Sequence, residues 1–286
     1  MIRSKMSASI RWSFDTSKWS PNREQLLSAF SCLQRDEIER VQRFVYRRDL
    51  KQALIGRLMI RKCLSQSLQL PYDKLSLTRS ESGKPILASS SDLPFDFNVS
   101  HSGNFVVLAA DERSKIGVDV MDFKYDRRKD LRDFFKTMNR QFSESEWKYI
   151  RSDGLSDQQM YFRFIRLWCL KESFVKAEGI GITFDLRRIS FHCKTLELNE
   201  SSMITDSEIQ VDNKILNNWI FEESLLDSNH CVTVAYESDE SKAASDYESK
   251  LFKQLTFDEL MESAVPQNSP DSSIWDSYAT KSEKAF

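Results

Sequence analysis

The spacing of apolar residues changes period several times along the chain, and each change predicts an element. Between Arg35 and Leu70, Ile38, Val41 and Val45, then Leu50, Leu54 and Leu58, recur at helical spacing and predict one long helix that Pro71 stops. Ser82-Gly83-Lys84-Pro85 is a turn signal. Phe95, Phe97 and Val99 alternate with polar residues as a half-buried strand does, and Val106 to Ala110 reads as a fully buried one. Ser102-Gly103-Asn104 between them has the composition of a hairpin turn. Ile116, Val118 and Val120 alternate again, a third strand in quick succession. The charged stretch Asp126 to Arg140 is expected to be a loop plus a short helix, and Ser143 with Glu146 is a capping-box pattern opening a helix that carries Trp147 and Ile150. Gln158 to Glu178 is the clearest helix: Met160, Phe164 and Leu167 share a face, and Gly179 follows as a C-terminal stop. Later strands are expected at Ile189 to Phe191, Trp219 to Phe221 and Cys231 to Ala235. Strand triplets and long helices in both halves predict an α+β fold with mostly antiparallel strands joined by tight turns.

Length and composition narrow this picture. A chain of 286 residues makes one large domain or two modest ones. No internal repeat is visible. The boundaries expected are an N-terminal subdomain 1–117, a C-terminal subdomain 118–236, a polar linker 237–250 and a tail 251–286. The tail carries Phe257, Leu260, Val265 and Trp275, and is expected to pack back on the body. A net charge of −2 gives no electrostatic case for nucleic-acid binding. No apolar run approaches the ~20 residues of a membrane span. The N-terminal MIRSKMSASIRW lacks the apolar stretch of a secretory signal, while its Arg and Ser content leaves organelle targeting open. Cys32, Cys63, Cys169, Cys193 and Cys231 are odd in number and without CxxC spacing, which argues against a disulfide framework or zinc site and for reduced, buried thiols.

Three segments carry candidate chemistry: Asn98-Val99-Ser100-His101-Ser102, Ile116-Gly117-Val118-Asp119-Val120-Met121, and the helical run Trp168 to Ala177. Period-two alternation puts Asp119 on the strand face opposite Ile116, Val118 and Val120, beside Gly117, which leaves room for a close approach. From this strand alone Asp119 reads more readily as a surface residue at a strand end. Glu172 and Lys176 are four apart and share a helix face with Trp168. As a plain surface pair they would contribute only ~0.2–0.5 kcal/mol. Read chemically, they are a carboxylate for a metal or proton beside an ammonium for phosphate. Mg²⁺ is typically held by one or two carboxylates plus phosphates and water, which Asp119 with Glu172 would satisfy. Arg47, Arg48, Arg79, Lys84 and His101 are candidate contacts for a polyanion, although each alone is ordinary surface.

Together these segments resemble the Sfp-type phosphopantetheinyl transferases, whose pattern is a G-[IVL]-D strand followed by a W-x-x-K-E-[SA]-x-x-K helix. Here these read Gly117-Val118-Asp119 and Trp168 to Lys176, about 50 residues apart. Gly56 to Lys62, Gly83-Lys84-Pro85, Phe97 to His101 and the tail around Phe257 to Pro266 also look like family segments, so the likeness covers most of the chain. Its tail resembles the cytosolic animal subgroup. Many bacterial members carry a second acid two residues after the motif aspartate. Here that position is Met121, and a thioether does not replace a carboxylate on Mg²⁺.

The resemblance implies two similar α/β subdomains related by a pseudo-twofold axis, with coenzyme A in the cleft between them. It implies transfer of phosphopantetheine to a serine of an apo acyl carrier protein, or of carrier domains of fatty acid synthase and aminoadipate-semialdehyde dehydrogenase-like enzymes, by a cytosolic monomer. It assigns Asp119 and Glu172 to Mg²⁺ and makes Glu172 and Lys176, with Asp119, the catalytic set. Coenzyme A would contact Arg48, Arg79, Ser80, Gly83, Lys84, Asn98, Val99, Ser100, His101, Glu172 and Lys176. Three rivals have less support. An inactivated scaffold should have lost a motif position. A nucleotide kinase should show GxxxxGK[ST] or HRD and DFG, which are absent. A Cys–His acyl transferase lacks a cysteine near His101 in sequence.

Overall fold

The computed structural model describes residues 9–80, 83–88, 95–111, 115–126, 128, 130–181, 184–238 and 250–283. Ser82, Arg127, Lys129, the first eight residues and most of the polar stretch 237–250 lie outside them. The chain divides into two compact units, one of Met1–Leu93, Val99–Ala110 and Lys253–Phe286, the other of Pro94–Asn98 and Asp111–Phe252.

In the first unit, β1 (Ile10–Asp15) leads to α1 (Arg23–Ser31), α2 (Arg35–Gln42) and α3 (Arg47–Leu68), then β2 (Leu77–Arg79), β3 (Pro85–Leu87), β4 (Asp96–Ser102), whose residues up to Asn98 belong to the second unit, and β5 (Phe105–Asp111), which runs to the boundary. The single helix expected from Arg35 to Leu70 is two helices. The step from Val45 to Leu50 is five residues, which takes the apolar stripe off one face; Val45 is 70 % exposed and Tyr46 turns extended at φ −103°, ψ 144° to start α3. β1 escaped prediction because its burial barely alternates, so it shows no period of two. Strand β5 is buried throughout and lies between β1 and β4, with Gly103 at φ +55° in the β4–β5 turn.

The second unit holds β6 (Ile116–Asp122), α4 (Leu131–Thr137), α5 (Glu144–Ile150), α6 (Asp157–Glu178), β7 (Ile189–His192), β8 (Glu208–Val211), β9 (Lys214–Ile215), β10 (Trp219–Asp227) and β11 (His230–Glu237). The third strand of the expected quick succession belongs elsewhere: β6 joins the order β10-β11-β6, antiparallel to β11 with Asp119 opposite Thr233. Helix α6 is capped by a Ser156–Gln159 box and ended by Gly179 at φ +71°. The core about it is rich in aromatic rings, among them Phe135, Phe142, Trp147, Phe164 and Phe174. The fold is a mixture of helices with largely antiparallel sheet, as expected for α+β.

The tail residues of the first unit form β12 (Lys253–Gln254), parallel to β1, then α7 (Phe257–Met261) and α8 (Ser272–Thr280). Phe257 stacks on Trp19 at 4.9 Å, and the amides of Gln267 and Asn268 both donate to the Ser31 carbonyl. All five cysteines are free and buried. Among the described residues no helix is long and apolar enough to cross a membrane.

Candidate functional site

Helix α6 lies unusually close to β6, and Gly117 is why. A Cβ at that position would stand 2.0 Å from the Ser173 carbonyl oxygen and 2.5 Å from the Ala177 nitrogen. The room read beside Gly117 in the sequence is therefore filled by the backbone of the chain's own helix. Asp119 faces α6 as well and is 4 % exposed, so the reading of a surface aspartate at a strand end does not hold.

This approach brings the motif acids and lysine together. Lys176 Nζ donates to Asp119 Oδ1 at 2.6 Å and to the Val118 carbonyl at 3.2 Å. The Cys169 thiol donates to the Asp119 carbonyl at 3.2 Å. Glu172 sits one turn before Lys176, half-buried. Burial pushes its carboxyl pKa up; the Asp119 charge pushes the same way and Lys176 opposes both. A carboxyl group with raised affinity for protons, a second carboxylate close enough to be felt, and an ammonium bonded to that second carboxylate thus meet at one place. Among the described residues no group of three or more His, Cys, Asp or Glu could hold a metal. Met121, where bacterial relatives would place a further acid, packs against the core.

Lys171, the other motif lysine, has a different task that sequence reasoning missed. Its side chain is fully buried, bonding the carbonyls of Gln141, Leu186 and Ile189 at 3.1, 2.8 and 2.7 Å and pairing with Glu146 at 2.8 Å. Burial lowers its pKa and Glu146 works against that shift. Glu146 also accepts from the amides of Ser143 and Phe191, so one carboxylate caps α5, docks β7 and neutralises Lys171. The i−3 capping signal in the sequence disclosed only the first of these roles.

Asn98 is buried in the second unit, where its Oδ1 accepts from the Val118 amide at 3.2 Å; Asp96 does the same for Ile116 at 3.1 Å. These two side chains occupy backbone donors of β6 next to Asp119. The remaining candidates belong to the first unit. Arg79, Ser80, Gly83 and Lys84 form one turn: the Ser80 amide donates to the Lys84 carbonyl, Gly83 lies at φ +84°, and Arg79 donates to the Gly83 carbonyl at 2.6 Å. Burial lowers the pKa of Arg57 and of Arg79, and neighbouring guanidinium charge lowers both further, from Arg79 on Arg57 and from Arg40 on Arg79. The carboxylates of Asp36 and Glu37 oppose these shifts on both arginines, so the cluster is of mixed charge. Arg57 was not among the sequence candidates. Arg48 is half-buried near the start of α3, Val99 and Ser100 lie along β4, and His101 is exposed near its end. Arg47 is committed to the tail, donating to the carbonyls of Tyr278 and Ala279.

In the second unit a groove of about 600 Å³ is lined by Tyr125, Leu131, Phe135 and Met160, with the cations Arg132, Lys136 and Arg151 and the acids Asp130 and Asp157. Arg128 and Lys136 pair with Asp126 and Asp133 at 2.9 Å.

Comparison with known proteins shows the family. A family model described as "4'-phosphopantetheinyl transferase, N-terminal" matches residues 17–113, and one for the "4'-phosphopantetheinyl transferase superfamily" matches residues 115–235. The L-aminoadipate-semialdehyde dehydrogenase-phosphopantetheinyl transferase of Xenopus laevis is 37 % identical over 97 % of this chain and 94 % of its own length. Its Homo sapiens counterpart is 37 % identical over 96 % and 92 %. The 4'-phosphopantetheinyl transferase Sfp of Bacillus subtilis is 31 % identical over 56 % of this chain and 66 % of its own. With both family segments present and more than a third of residues shared over nearly the full length of its animal relatives, the chain belongs to the 4'-phosphopantetheinyl transferase superfamily.

Proposed function

We propose that the protein transfers the 4'-phosphopantetheine group of coenzyme A to a serine hydroxyl of a carrier protein. One P–O bond forms to the serine oxygen as the P–O bond to adenosine 3',5'-bisphosphate breaks. The observation that carries the reading is the cluster of Asp119, Glu172 and Lys176 that the Gly117 notch holds together. Family membership supports the transferase activity. The identity of donor, acceptor and leaving group is what the family resemblance implies.

Glu172 takes the hydroxyl proton. Its pKa is raised from the ordinary carboxylate value by burial and the Asp119 charge, the direction that strengthens a general base. Lys176 places positive charge against the pyrophosphate. Asp119 and Glu172 fit Mg²⁺: they are hard oxygen donors whose mutual repulsion a dication relieves, and two carboxylates leave positions for water and phosphate. When bound, Mg²⁺ would neutralise charge on the pyrophosphate. Arg48, Arg79, Ser80, Gly83, Lys84, Asn98, Val99, Ser100 and His101 are assigned to coenzyme A, the cationic turn at Arg79 to Lys84 suiting its phosphates. The side-chain oxygen of Asn98 is engaged by the Val118 amide.

The acceptor proposed is an apo acyl carrier protein, or the carrier domain of fatty acid synthase or of an aminoadipate-semialdehyde dehydrogenase-like enzyme, in fatty acid synthesis and lysine metabolism. The printed name of the animal relatives supports the last of these. The groove beside α4 sets Arg132, Lys136 and Arg151 against Asp130 and Asp157, a net positive lining that can meet an acidic carrier surface. The protein is proposed to act as a cytosolic monomer. Incubation with coenzyme A, Mg²⁺ and apo carrier should add the mass of one phosphopantetheine to the carrier, and an unmodified carrier under those conditions overturns the assignment.

A further inference from the structure

We propose that Arg47 is a positioning residue for coenzyme A: together with the C-terminal tail it clamps the start of α3, and through that start it sets the place of Arg48. The proposal rests on the reading of Arg48 as a coenzyme A contact.

The first turn of α3 has little of its own to hold it. Its N-cap, Tyr46, makes no side-chain cap bond, and the connector before it exposes Phe44 and Val45 rather than burying them. Two arginines, Arg47 and Arg48, then open the helix, where the positive end of the helix dipole repels cations; Asp49 in the same turn offsets them in part. The tail supplies what is missing. The Arg47 amide, one of the N–H groups that a helix start leaves without an intrahelical partner, donates to the Ser282 carbonyl at 3.0 Å. The Arg47 side chain caps a different helix, the C-terminus of α8. Its Nε donates to the Tyr278 carbonyl at 3.1 Å and its Nη2 to that of Ala279, while the guanidinium lies 5.2 Å from the centre of the Tyr278 ring. Helix α8 has no basic residue in its own last turn, so a charge that is unfavourable on α3 is favourable there. On the far side of the connector, Lys281 Nζ donates to the carbonyl of Gln42, the last residue of α2, at 3.3 Å. The tail thus holds the chain at residues 42 and 47, the two ends of the connector, and Arg48 is the next residue. A guanidinium on a frayed turn binds phosphate only at the added cost of ordering that turn, and the clamp removes this cost in advance. The cost is the same in ground and transition states, so it enters KM rather than kcat.

The test is steady-state kinetics on the full-length protein, with thermal melts to establish that each variant is folded. Arg47→Met should raise KM for coenzyme A about fivefold, the factor that loss of one helix cap typically gives, and change kcat by less than about twofold. Lys281→Met loosens the clamp from the tail side; it should shift KM in the same direction, and it carries the test if Arg47→Met does not fold. In an Arg48→Ala background neither substitution should raise KM further, because the effect passes through Arg48. Amide hydrogen exchange over residues 43–50 should quicken in both clamp variants. If the KM effects of Arg47→Met and Arg48→Ala multiply in the double variant, Arg47 meets coenzyme A by itself and the positioning role is refuted. If the clamp variants only lower the melting temperature and leave KM at the wild-type value while Arg48→Ala raises it, the clamp is refuted and the assignment of Arg48 stands. If Arg48→Ala leaves KM unchanged, that assignment is refuted and the clamp with it.

Discussion

Substituting Gly117 by alanine tests the packing that holds the site together. The added Cβ would meet the Ser173 carbonyl oxygen at 2.0 Å, the Ala177 nitrogen at 2.5 Å and its Cα at 3.1 Å. All three are backbone atoms, so no side-chain rotation relieves the overlap. Restoring an ordinary separation of ~3.5 Å requires α6 to withdraw from β6 by about 1.5 Å. Overpacking of a core costs ~1–3 kcal/mol, and the upper end applies here because two segments of main chain collide. The same shift moves Glu172 and Lys176 away from Asp119, and misplacement by about 1 Å can cost ~10²-fold in rate. Gly56 in α3 is the internal control. A Cβ there meets only side-chain atoms of Val99 and Val106 at 3.7 Å, ordinary contact. Alanine also suits a helix interior better than glycine, so Gly56→Ala should stabilise by ~0.4–1 kcal/mol. The two variants should thus differ by about 4 kcal/mol in urea unfolding and by about 10² in carrier modification. A Gly117→Ala protein within ~0.5 kcal/mol of wild type and fully active would refute the notch.

Asp119→Asn and Glu172→Gln should each lower transfer by more than ~10²-fold while the protein stays folded, and near-normal rates at saturating Mg²⁺ would remove their assignment. Because the folded-state pKa of Glu172 is raised, its contribution to stability is complete below the unfolded value and lost as pH rises through the folded one. Glu172→Gln should therefore melt above wild type at pH 8 and converge with it near pH 4; a gap that widens toward acid contradicts the sign. Lys171→Met should cost ~3–5 kcal/mol in denaturant unfolding, since it strands Glu146 in the core, and a loss under ~1 kcal/mol would show the pair to be dispensable. Arg48→Ala and His101→Ala should raise KM for coenzyme A more than they lower kcat, with dephospho-coenzyme A narrowing the difference from wild type; the opposite split argues against phosphate contacts. Serine at Arg127, Arg128 and Lys129, in the basic stretch that follows the Asp119 strand, should raise KM for the carrier and flatten its salt dependence with KM for coenzyme A unchanged, and wild-type values for the carrier would put docking elsewhere.

Elements with a clean period or a strong cap were legible in the sequence: α6 within one residue of its start, the α5 capping box, and β4, β5 and β6. What failed were segments whose periodicity hides burial. β1 is covered on both faces and shows no alternation, and the α2–α3 break lies in one five-residue step within an otherwise helical stripe. The short strands β8 and β9 carry no apolar run long enough to stand out. At the site, the spacing of Glu172 and Lys176 told that they share a face but not what opposes them. Likewise Lys171 and Glu172 are neighbours in the motif, yet one is fully buried and the other reaches the site, a distinction that depends on Glu146, far away in sequence. Sheet membership was illegible for the same reason: β6 follows β5 closely but pairs with β11, more than a hundred residues later.

The buried charges of α6 account for how a mostly apolar helix holds one rotation. Phe164, Ile165, Leu167, Leu170, Phe174, Val175 and Ala177 are all buried, so apolar side chains leave nearly every side of the helix. Hydrophobic burial alone then discriminates weakly between one rotation about the axis and another. The charged residues do discriminate, because a buried charge without its partner costs several kcal/mol. Arg166, fully buried, makes a two-pronged pair with Glu223 at 2.7 and 2.9 Å and caps the Thr195 and Leu196 carbonyls. Lys171 meets Glu146 and three carbonyls on a different side. Only one rotation satisfies both sets. That rotation puts Ser173 and Ala177 against Gly117, and leaves Glu172 and Lys176 beside Asp119 at the margin of the contact. The two pairs need contribute little net stability for this purpose, since the difference between the satisfied and unsatisfied rotations is what fixes the site.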